Sequence, residues 1–284
     1  MKTVLFLCAF LYSFSAYGDF LPPNDLYLQD NLEADSGITE EDFNAAIDEA
    51  IAFYAPVIVG HEAELKVNRL WDNSTVNASA SQSGTTWTVN MYGGLARREE
   101  VTKDGFALVL CHELGHHLGG FPFVFDWAAN EGQSDYFSTL SCARQLWSDD
   151  EEKNLKAGEA IGDYPRQLCD DAFFGAAQNK INVCYRSMLG GLSLANLLGA
   201  LGGSDAVSVG TPDIKVLAKT NGRHPAAQCR LDTYVSGALC QSDFDFSLIP
   251  ETEASSALNT CHRSSGYRHG LRPRCWFHPA SSKL

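Results

Sequence analysis

The stretch Phe106–Leu118 constrains the fold of this chain more than any other, because it is apolar on almost every side yet carries ionisable residues. Apolar residues all around a segment of this length predict a helix buried in the centre of the protein. The alternative is a buried helix whose two histidines are only structural. That helix would enclose His112, Glu113 and His116 without a countercharge, which costs considerable free energy. Binding of a metal ion removes that cost. The sequence therefore predicts a metal site on this helix.

His112, Glu113 and His116 form the pattern His-Glu-x-x-His. Positions four apart on a helix project from the same face, so both imidazoles can reach one ion. Zinc lowers the pKa of bound water toward ~7, and a neighbouring glutamate can take the proton as water attacks a peptide carbonyl. The pattern predicts a zinc site with His112 and His116 as ligands and Glu113 as general base.

A third ligand is predicted on a second helix, expected over Trp127–Trp147. Glu131 and Asp135 lie four residues apart on one face of that helix. Glu131 can complete a site of two histidines and one glutamate, and Asp135 can accept a hydrogen bond from the far nitrogen of a ligand histidine. Two alternatives stay open: Asp135 or Asp126 is itself the third ligand, or the acids form a solvated helix face.

The pattern HExxH, followed by Glu-x-x-x-Asp on a second helix, resembles the gluzincin metallopeptidases. A short gap between the two helices and a later His-Pro-x-x-x-x-Arg element, His224 to Arg230, make the chain similar to the group that contains the prenyl-protein (CAAX) and HtpX-like peptidases. The resemblance covers about residues 85–238. It implies a zincin-like catalytic domain, one zinc ion per chain and endopeptidase activity on a peptide or protein substrate.

The same resemblance implies roles for His224 and Arg230. His224 would stabilise the oxyanion or close over the zinc, and Arg230 would anchor a loop or the catalytic carboxylates. A histidine before a helix and a surface arginine are the ordinary alternatives. The metzincin pattern HExxHxxGxxH is disfavoured, because Pro122 stands where its last histidine would be. The missing transmembrane helices and the cysteines described below also speak against a prenyl-protein substrate.

Residues 1–18 are typical of a secretory signal peptide, with Lys2, an apolar run and a small-x-small ending at Gly18. The run is shorter than the ~20 residues that a membrane anchor needs, and we expect no later segment to cross a bilayer. Cleavage before Asp19 would leave a secreted or periplasmic protein. The mature chain is predicted to comprise a zincin-like domain, 19–240, and a cystine-rich C-terminal extension, 241–284.

Cysteine usage agrees with export. After Cys8 leaves with the signal, an even number remain: Cys111, Cys142, Cys169, Cys184, Cys229, Cys240, Cys261 and Cys275. An even count in an exported chain predicts disulfides in an oxidising compartment. The pairing is not deducible, although the short separations Cys229/Cys240 and Cys261/Cys275 would suit local loops. Cys111, beside the metal helix, could instead be a buried free thiol.

The formal net charge of −14 argues against a nucleic-acid partner, which would need a basic face. One basic cluster lies near the C-terminus and could bind an anionic partner, although such clusters are usually solvated: Arg263, Arg268, Arg272 and Arg274. The oligomeric state is not readable from these patterns.

The predicted fold class is α+β, mainly α, with a short antiparallel sheet beside the two site helices. Trp87–Met91 alternates between apolar and polar residues and predicts a half-buried strand, either the edge strand to which an extended substrate adds or an interior strand. Trp71–Gly84 predicts a loop or irregular strand pair with glycosylation sequons at Asn73 and Asn77.

Further helices are predicted from Thr39 toward Tyr54 and from Pro225 through about Ala238. His61 and His117 lack spaced partners and are expected to be structural.

Two other functions compete with peptide hydrolysis. The first is a non-catalytic, zinc-stabilised binding or chaperone-like module, for which Glu113 would have no use. The second is a nucleophilic pair of Cys111 and His112, which is disfavoured because adjacent residues of a helix point apart.

Overall fold

The computed structural model of the chain describes residues 17–28, 36–202 and 206–279. The predicted signal peptide lies outside the described residues, except for Tyr17 and Gly18. The elements, in chain order, are β1 (Tyr17–Asp19), α1 (Glu40–Gly60), β2 (Glu64–Leu70), β3 (Ala78–Ser83), β4 (Thr86–Tyr92), α2 (Gly93–Ala96), α3 (Lys103–Leu118), α4 (Glu131–Phe137), a π-helical turn (Ser138–Cys142), α5 (Ala143–Trp147), α6 (Glu151–Ala160), α7 (Asp163–Ala172), α8 (Gln178–Gly202), α9 (Ala227–Leu239), α10 (Glu253–Ser256) and a 3-10 turn (Arg263–Ser265). The predicted class, α+β and mainly α, is confirmed.

The sheet has the strand order β1-β3-β4-β2. β3 pairs antiparallel with β1 and β4, whereas β2 pairs parallel with β4, so the sheet is mixed and the prediction of an antiparallel sheet is wrong. β4 buries Trp87, Val89 and Met91 on one face, as the alternation predicts. It lies in the interior of the sheet, and therefore it is not the edge strand.

The strand β3 falls within the segment predicted as a loop or irregular pair. Its residues are alanine, serine and glutamine, which carry no strong strand signal. It forms because a tight turn through Gly84, with φ of 59°, folds it back onto β4. Of the two predicted sequons, Asn73 is exposed, whereas the side-chain oxygen of Asn77 accepts hydrogen bonds from the backbone of Leu21 and Ala78.

Helix α3 runs through the centre of the fold and carries the predicted metal ligands. It begins after Thr102, whose side chain accepts a hydrogen bond from the Gly105 amide, a few residues before the predicted start. From Gly105 to Leu118 every residue is buried, and the helix packs against β3, β4, α4 and α8. The prediction of a buried central helix is confirmed.

The second site helix begins at Glu131 rather than at Trp127. Asn130 caps the N-terminus of this helix, because its side chain accepts a hydrogen bond from the Gln133 amide. The helical run then continues through the π-helical turn to Trp147. Gly115 of α3 permits a close approach, since a Cβ atom at that position would lie 2.9 Å from the Ser134 Cα atom. Glu131 is thereby held in the first turn of α4, facing α3.

All eight cysteines that follow the predicted signal form disulfides: Cys111–Cys142, Cys169–Cys184, Cys229–Cys275 and Cys240–Cys261. The suggested local pairs at 229/240 and 261/275 are therefore wrong, because the C-terminal segment folds back over α9 and brings distant cysteines together. Cys111 is not a free thiol, since α3 packs against the π-helical turn that carries its partner. Four disulfides indicate an oxidising environment.

The C-terminal segment packs directly on α4. A Cβ atom at Gly132 would meet the indole of Trp276, so the absence of a side chain there lets the ring lie against the helix. Arg272 is buried beneath this contact and donates hydrogen bonds to the Phe121 carbonyl and the Gln133 side chain. It is therefore not part of an exposed basic cluster, whereas Arg263, Arg268 and Arg274 are exposed.

Helix α1 extends to Gly60, beyond the predicted end near Tyr54. By length and composition alone it could span a bilayer, contrary to the expectation that no segment could. One face of it packs in the core, through Phe43, Ile47 and Ile58 among others, while the opposite face carries acidic residues. This packing is typical of an amphipathic core helix. The last predicted helix, α9, starts at Ala227, two residues after Pro225.

Candidate metal centre

His112, His116 and Glu131 meet in the interior between α3 and α4. Their ligand atoms all lie within 4.8 Å of one another. Oε2 of Glu131 is 3.3 Å from Nε2 of His112, and Oε1 is 3.7 Å from Nε2 of His116. The two imidazole rings are nearly perpendicular, with centroids 4.8 Å apart. The predicted trio therefore forms a buried group that could hold a metal ion.

The atoms that face this space have no hydrogen-bond partners. Nε2 of His112, Nε2 of His116, Oε2 of Glu131 and both carboxylate oxygens of Glu113 are buried and unpaired. A buried polar atom without a partner costs about 1–3 kcal/mol, and native proteins contain few of them. A cation among these nitrogen and oxygen atoms removes the penalty for the three converging residues. The donor set of imidazole and carboxylate fits a divalent transition metal.

The charges around the space also favour a cation. Glu131 and Asp135 contribute negative charge, and the buried Arg230 contributes one positive charge. Burial alone lowers the pKa of His112, but the charges of Asp135 and Glu131 and the hydrogen bond to Asp135 outweigh it and raise that pKa to about 9. The pocket thus stabilises positive charge at the point where the ligand atoms converge. A metal cation at that point would meet the same stabilisation.

Each histidine is oriented by its other ring nitrogen. Nδ1 of His112 donates to Oδ1 of Asp135 at 2.8 Å, and Nδ1 of His116 donates to the Ala129 carbonyl at 2.7 Å. These bonds fix the tautomer in which Nε2 keeps its lone pair toward the shared space. Asp135 therefore lies behind His112, as the spacing predicts, and it is not placed to be the third ligand. Asp126 is exposed on the loop before α4 and lies outside the group.

Asp135 is held by two residues of α9. Arg230 donates from Nε to Oδ2 and from Nη2 to Oδ1, both at 2.6 Å, and Tyr234 donates its hydroxyl to Oδ1 at 2.6 Å. Burial raises the pKa of Asp135, but the charges of Arg230 and His112 outweigh burial and hold the pKa well below its usual range. A forked pair of this kind fixes both position and ionisation. Arg230 thus anchors the carboxylate of Asp135.

His224 lies at the rim of the site and is partly exposed. Its Nε2 atom is 2.8 Å from the Asp19 carbonyl oxygen, to which it donates, and 3.4 Å from Oε2 of Glu131. The ring therefore reaches the space between His112, His116 and Glu131 from the side of α9. Glu113 lies within the site with its pKa raised well above the ordinary value, chiefly by burial.

The histidines expected to be structural lie apart from this group. The His117 ring stacks between Trp87 and Trp127, and burial lowers its pKa to about 3, which keeps it neutral. His61 stacks on the other side of Trp87, and its Nε2 atom donates to the Phe246 carbonyl. Both rings serve packing in the part of the chain that the structure describes.

Sequence reasoning missed several residues that build the centre. Tyr234 follows Arg230 by four residues and so shares its helix face, a spacing that could have revealed it. Gly115, inside the motif, could have been recognised as a point of helix contact. The Ala129 carbonyl and the approach of Asp19 carry no sequence signal, because a backbone atom can belong to any residue type.

Comparison of the chain with family models, with curated proteins and with solved structures finds no match. The assignment of the site depends on the chemistry of its residues.

Proposed function

We propose that this protein is a secreted or periplasmic zinc-dependent endopeptidase resembling the gluzincins. His112, His116 and Glu131 hold one zinc ion, and Glu113 is the general base. One observation carries the proposal: three ligand atoms converge without partners, and a fourth buried residue offers an unpaired carboxylate beside them. A site that served structure alone would have no use for that carboxylate, because structural zinc sites usually fill all four positions with protein ligands.

The reaction divides between the metal and the side chains. Zinc bound here would supply Lewis-acid polarisation of water and of the scissile carbonyl. Glu113 takes a proton from the attacking water while the oxygen of that water bonds to the carbonyl carbon. Glu113 then returns the proton to the departing amine nitrogen as the carbon–nitrogen bond breaks. Its proximity to two ligand histidines keeps this carboxylate at the reacting atoms.

The remaining residues position and stabilise. Asp135 keeps His112 in the tautomer that presents Nε2, and Arg230 with Tyr234 keeps Asp135 ionised and in place. His224 already donates to a backbone carbonyl at the rim, and we assign it the same role toward the carbonyl oxygen of a substrate. Arg230 is a positioning residue, because it acts through Asp135.

The test compares the secreted protein with its Glu113→Gln variant. Zinc content by elemental analysis and hydrolysis of casein are measured on both. We expect the variant to keep its zinc and to lose activity by about two orders of magnitude or more, the size of a general-base contribution. Asp126→Asn, an exposed acid outside the group, is the matched control and should leave both quantities unchanged. Full activity in a zinc-loaded Glu113→Gln protein would refute the mechanism.

A non-catalytic zinc-stabilised module is the competing function. Burial is the observation that favours it: the side chains of His112, Glu113 and His116 have no exposed surface in the described part of the chain, as expected for a structural site. Under that hypothesis zinc would be retained tightly, a broad peptide library would show no cleavage, and Glu113→Gln would change only stability. These outcomes separate the two functions.

A further inference from the structure

We propose that residues 17–21, called here the N-terminal strap, cover the metal centre of the uncleaved chain as a strand added to the sheet edge. Cleavage between Gly18 and Asp19 then uncovers the centre. The proposal rests on the proposed function in treating the covered space as the place of a peptide substrate. It goes beyond that function in assigning the uncleaved chain a closed site.

The strap lies on the ligands themselves. Gly18 is so close to α3 that a Cβ atom there would lie 2.6 Å from Cδ2 and 2.7 Å from Nε2 of His116. Only a residue without a side chain can occupy this position while the ring keeps its place. With this backbone against the ring, His116 has no exposed surface. A substrate strand cannot lie against His116 while the strap is in place.

The strap is also bound as an extended peptide would be. Tyr17, Gly18 and Asp19 pair antiparallel with Ser81, Ala80 and Ser79 of β3. Strand addition of this kind satisfies backbone groups that an edge would otherwise leave open. Without the strap, β3 would be the outer strand of the sheet on the side of the metal centre.

Two site residues hold consecutive carbonyls of the strap. His224 donates to the carbonyl of Asp19 at 2.8 Å, and Arg230 donates from Nη1 to the carbonyl of Phe20 at 2.7 Å. The Phe20 ring meets His112 edge-on, with centroids 5.3 Å apart. His224, to which we assign a role toward the substrate, and Arg230, which holds Asp135, thus also donate hydrogen bonds to the strap. Asp19 and Phe20 follow the predicted cleavage point, so a substrate strand competes with Tyr17 and Gly18 for the β3 edge.

The predicted cleavage point divides the strap into two functional parts. Phe20 and Leu21 are fully buried, and their amides donate to the Ala78 carbonyl and the Asn77 side chain. They remain anchored after cleavage. Tyr17 and Gly18 lie on the other side of the cut and leave with the signal. Their departure removes the backbone over His116 and frees the β3 edge at residues 80 and 81.

The first test uses one preparation of the full chain, loaded with zinc, before and after cleavage by signal peptidase. The rate at which a chelator removes zinc is measured on each, and hydrolysis of casein is the second readout. We expect cleavage to raise the rate of zinc removal at least about tenfold, because a strap that is open a tenth of the time or less limits access by that fraction. An unchanged rate of zinc removal would overturn the proposal.

The second test opens the strap without cleavage. In the uncleaved chain, Gly18→Val forces the strap away from His116 and should raise zinc removal toward the rate of the cleaved protein. Gly60→Val, where a new side chain meets nothing within 4 Å, is the matched control and should match the parent. Equal rates for the two uncleaved chains would count against the strap.

The two readouts separate this proposal from the proposed function. If cleavage speeds zinc removal but neither form hydrolyses peptides, the strap stands and the peptidase assignment fails. If both forms hydrolyse casein equally and lose zinc equally, the peptidase assignment stands and the strap is wrong.

Discussion

At the scale of single residues, Asp135 connects the metal centre to the rest of the protein. Its two oxygens accept hydrogen bonds from His112, Arg230 and Tyr234 with no exposed surface. A carboxylate buried to this degree keeps its charge only when donors surround it. The orientation of His112 therefore depends on residues of α9 that are not among the proposed metal ligands. Metal affinity should respond to changes at those residues.

Replacement of Tyr234 by phenylalanine tests this dependence. The ring keeps its volume, but Asp135 loses one of its donors, so we expect zinc affinity to fall about tenfold, the lower end of effects at residues behind metal ligands. Stability should fall by about 1–2 kcal/mol, because a charged acceptor is left with one bond fewer. Competition with a chelating dye measures the first and urea unfolding of the zinc-free protein the second.

Tyr185→Phe is the matched control for that substitution. The Tyr185 hydroxyl also donates to a carboxylate, that of Asp170, but it lies on α8 outside the centre. Its loss should leave zinc affinity unchanged. Equal affinity in the parent and the Tyr234→Phe protein would show that Arg230 alone suffices to hold Asp135.

At the scale of secondary-structure elements, the distance between α3 and α4 decides whether three ligands can share an ion. Gly115 sets this distance, since a side chain there would meet the Ser134 backbone and the Phe137 ring. His112 and His116 are on one helix and keep their spacing whatever the neighbour does. The position of Glu131 relative to the two histidines depends on how closely α4 approaches α3. The third ligand is thus the one that helix packing controls.

Substitution Gly115→Ala tests this control. Alanine favours a helix over glycine by about 0.5–1 kcal/mol, but a methyl group 2.9 Å from backbone atoms must push α4 away. Overpacking of this kind costs about 1–3 kcal/mol, so the clash outweighs the gain. We expect lower stability in urea and weaker zinc binding in dye competition. Gly60→Ala, in open space, should be neutral or slightly stabilising; the same result for Gly115→Ala would contradict the close approach.

The start of α1 gives a prediction about pH. Burial raises the pKa of Asp42, but its bonds to Lys103 and to the Thr39 backbone and side chain together outweigh burial and lower the pKa to about 2. A carboxylate with a depressed pKa stabilises the fold above its unfolded pKa, 3.8, and that stabilisation disappears as the pH falls toward 2.

The substitution Asp42→Asn removes this charge while keeping an acceptor for Thr39. We expect it to cost about 0.5–1 kcal/mol near neutral pH, because Asp42 is near a helix N-terminus and partly exposed. The difference from the parent should shrink steadily below about pH 4. Urea unfolding near neutral pH and below pH 4 measures the difference, with Glu41→Gln, an exposed acid in the same first turn, as the control. A difference independent of pH would mean that the charge contributes nothing.

Local patterns carried the predictions that the structure confirms. The apolar surroundings of His112 and His116 predict the buried helix, and the alternation around Val89 predicts the strand. Features that arise from chain folding at long range escaped prediction. The sequence around Ser81 has no strand pattern, and it forms a strand because it pairs with β4. The disulfide partner of Cys229 lies 46 residues away in the sequence. The second helix was predicted only in part: it begins at Glu131 and not at Trp127, because the capping role of Asn130 was not recognised.

At the scale of the whole molecule, disulfides connect the elements that carry the metal centre. Cys111–Cys142 joins α3 to the helical run that begins with Glu131, and Cys229–Cys275 joins α9 to the C-terminal segment that packs on α4. Cys169–Cys184 joins α7 to α8, away from the centre. Two of these bridges should therefore affect both stability and metal retention, whereas the bridge between α7 and α8 should affect stability alone.

A pair of double variants tests this division. Cys229→Ser with Cys275→Ser opens a loop of 46 residues and should cost about 4 kcal/mol by loss of chain constraint. Cys169→Ser with Cys184→Ser opens one of 15 residues and should cost about 3 kcal/mol. Because these costs are similar, urea unfolding of the zinc-free proteins will barely separate them. Zinc affinity should separate the two variants. The variant without Cys229–Cys275 should bind zinc more weakly, since Arg230 follows Cys229 directly, and the variant without Cys169–Cys184 should match the parent. Equal zinc affinity in both would mean that the C-terminal segment stabilises the fold without positioning the centre.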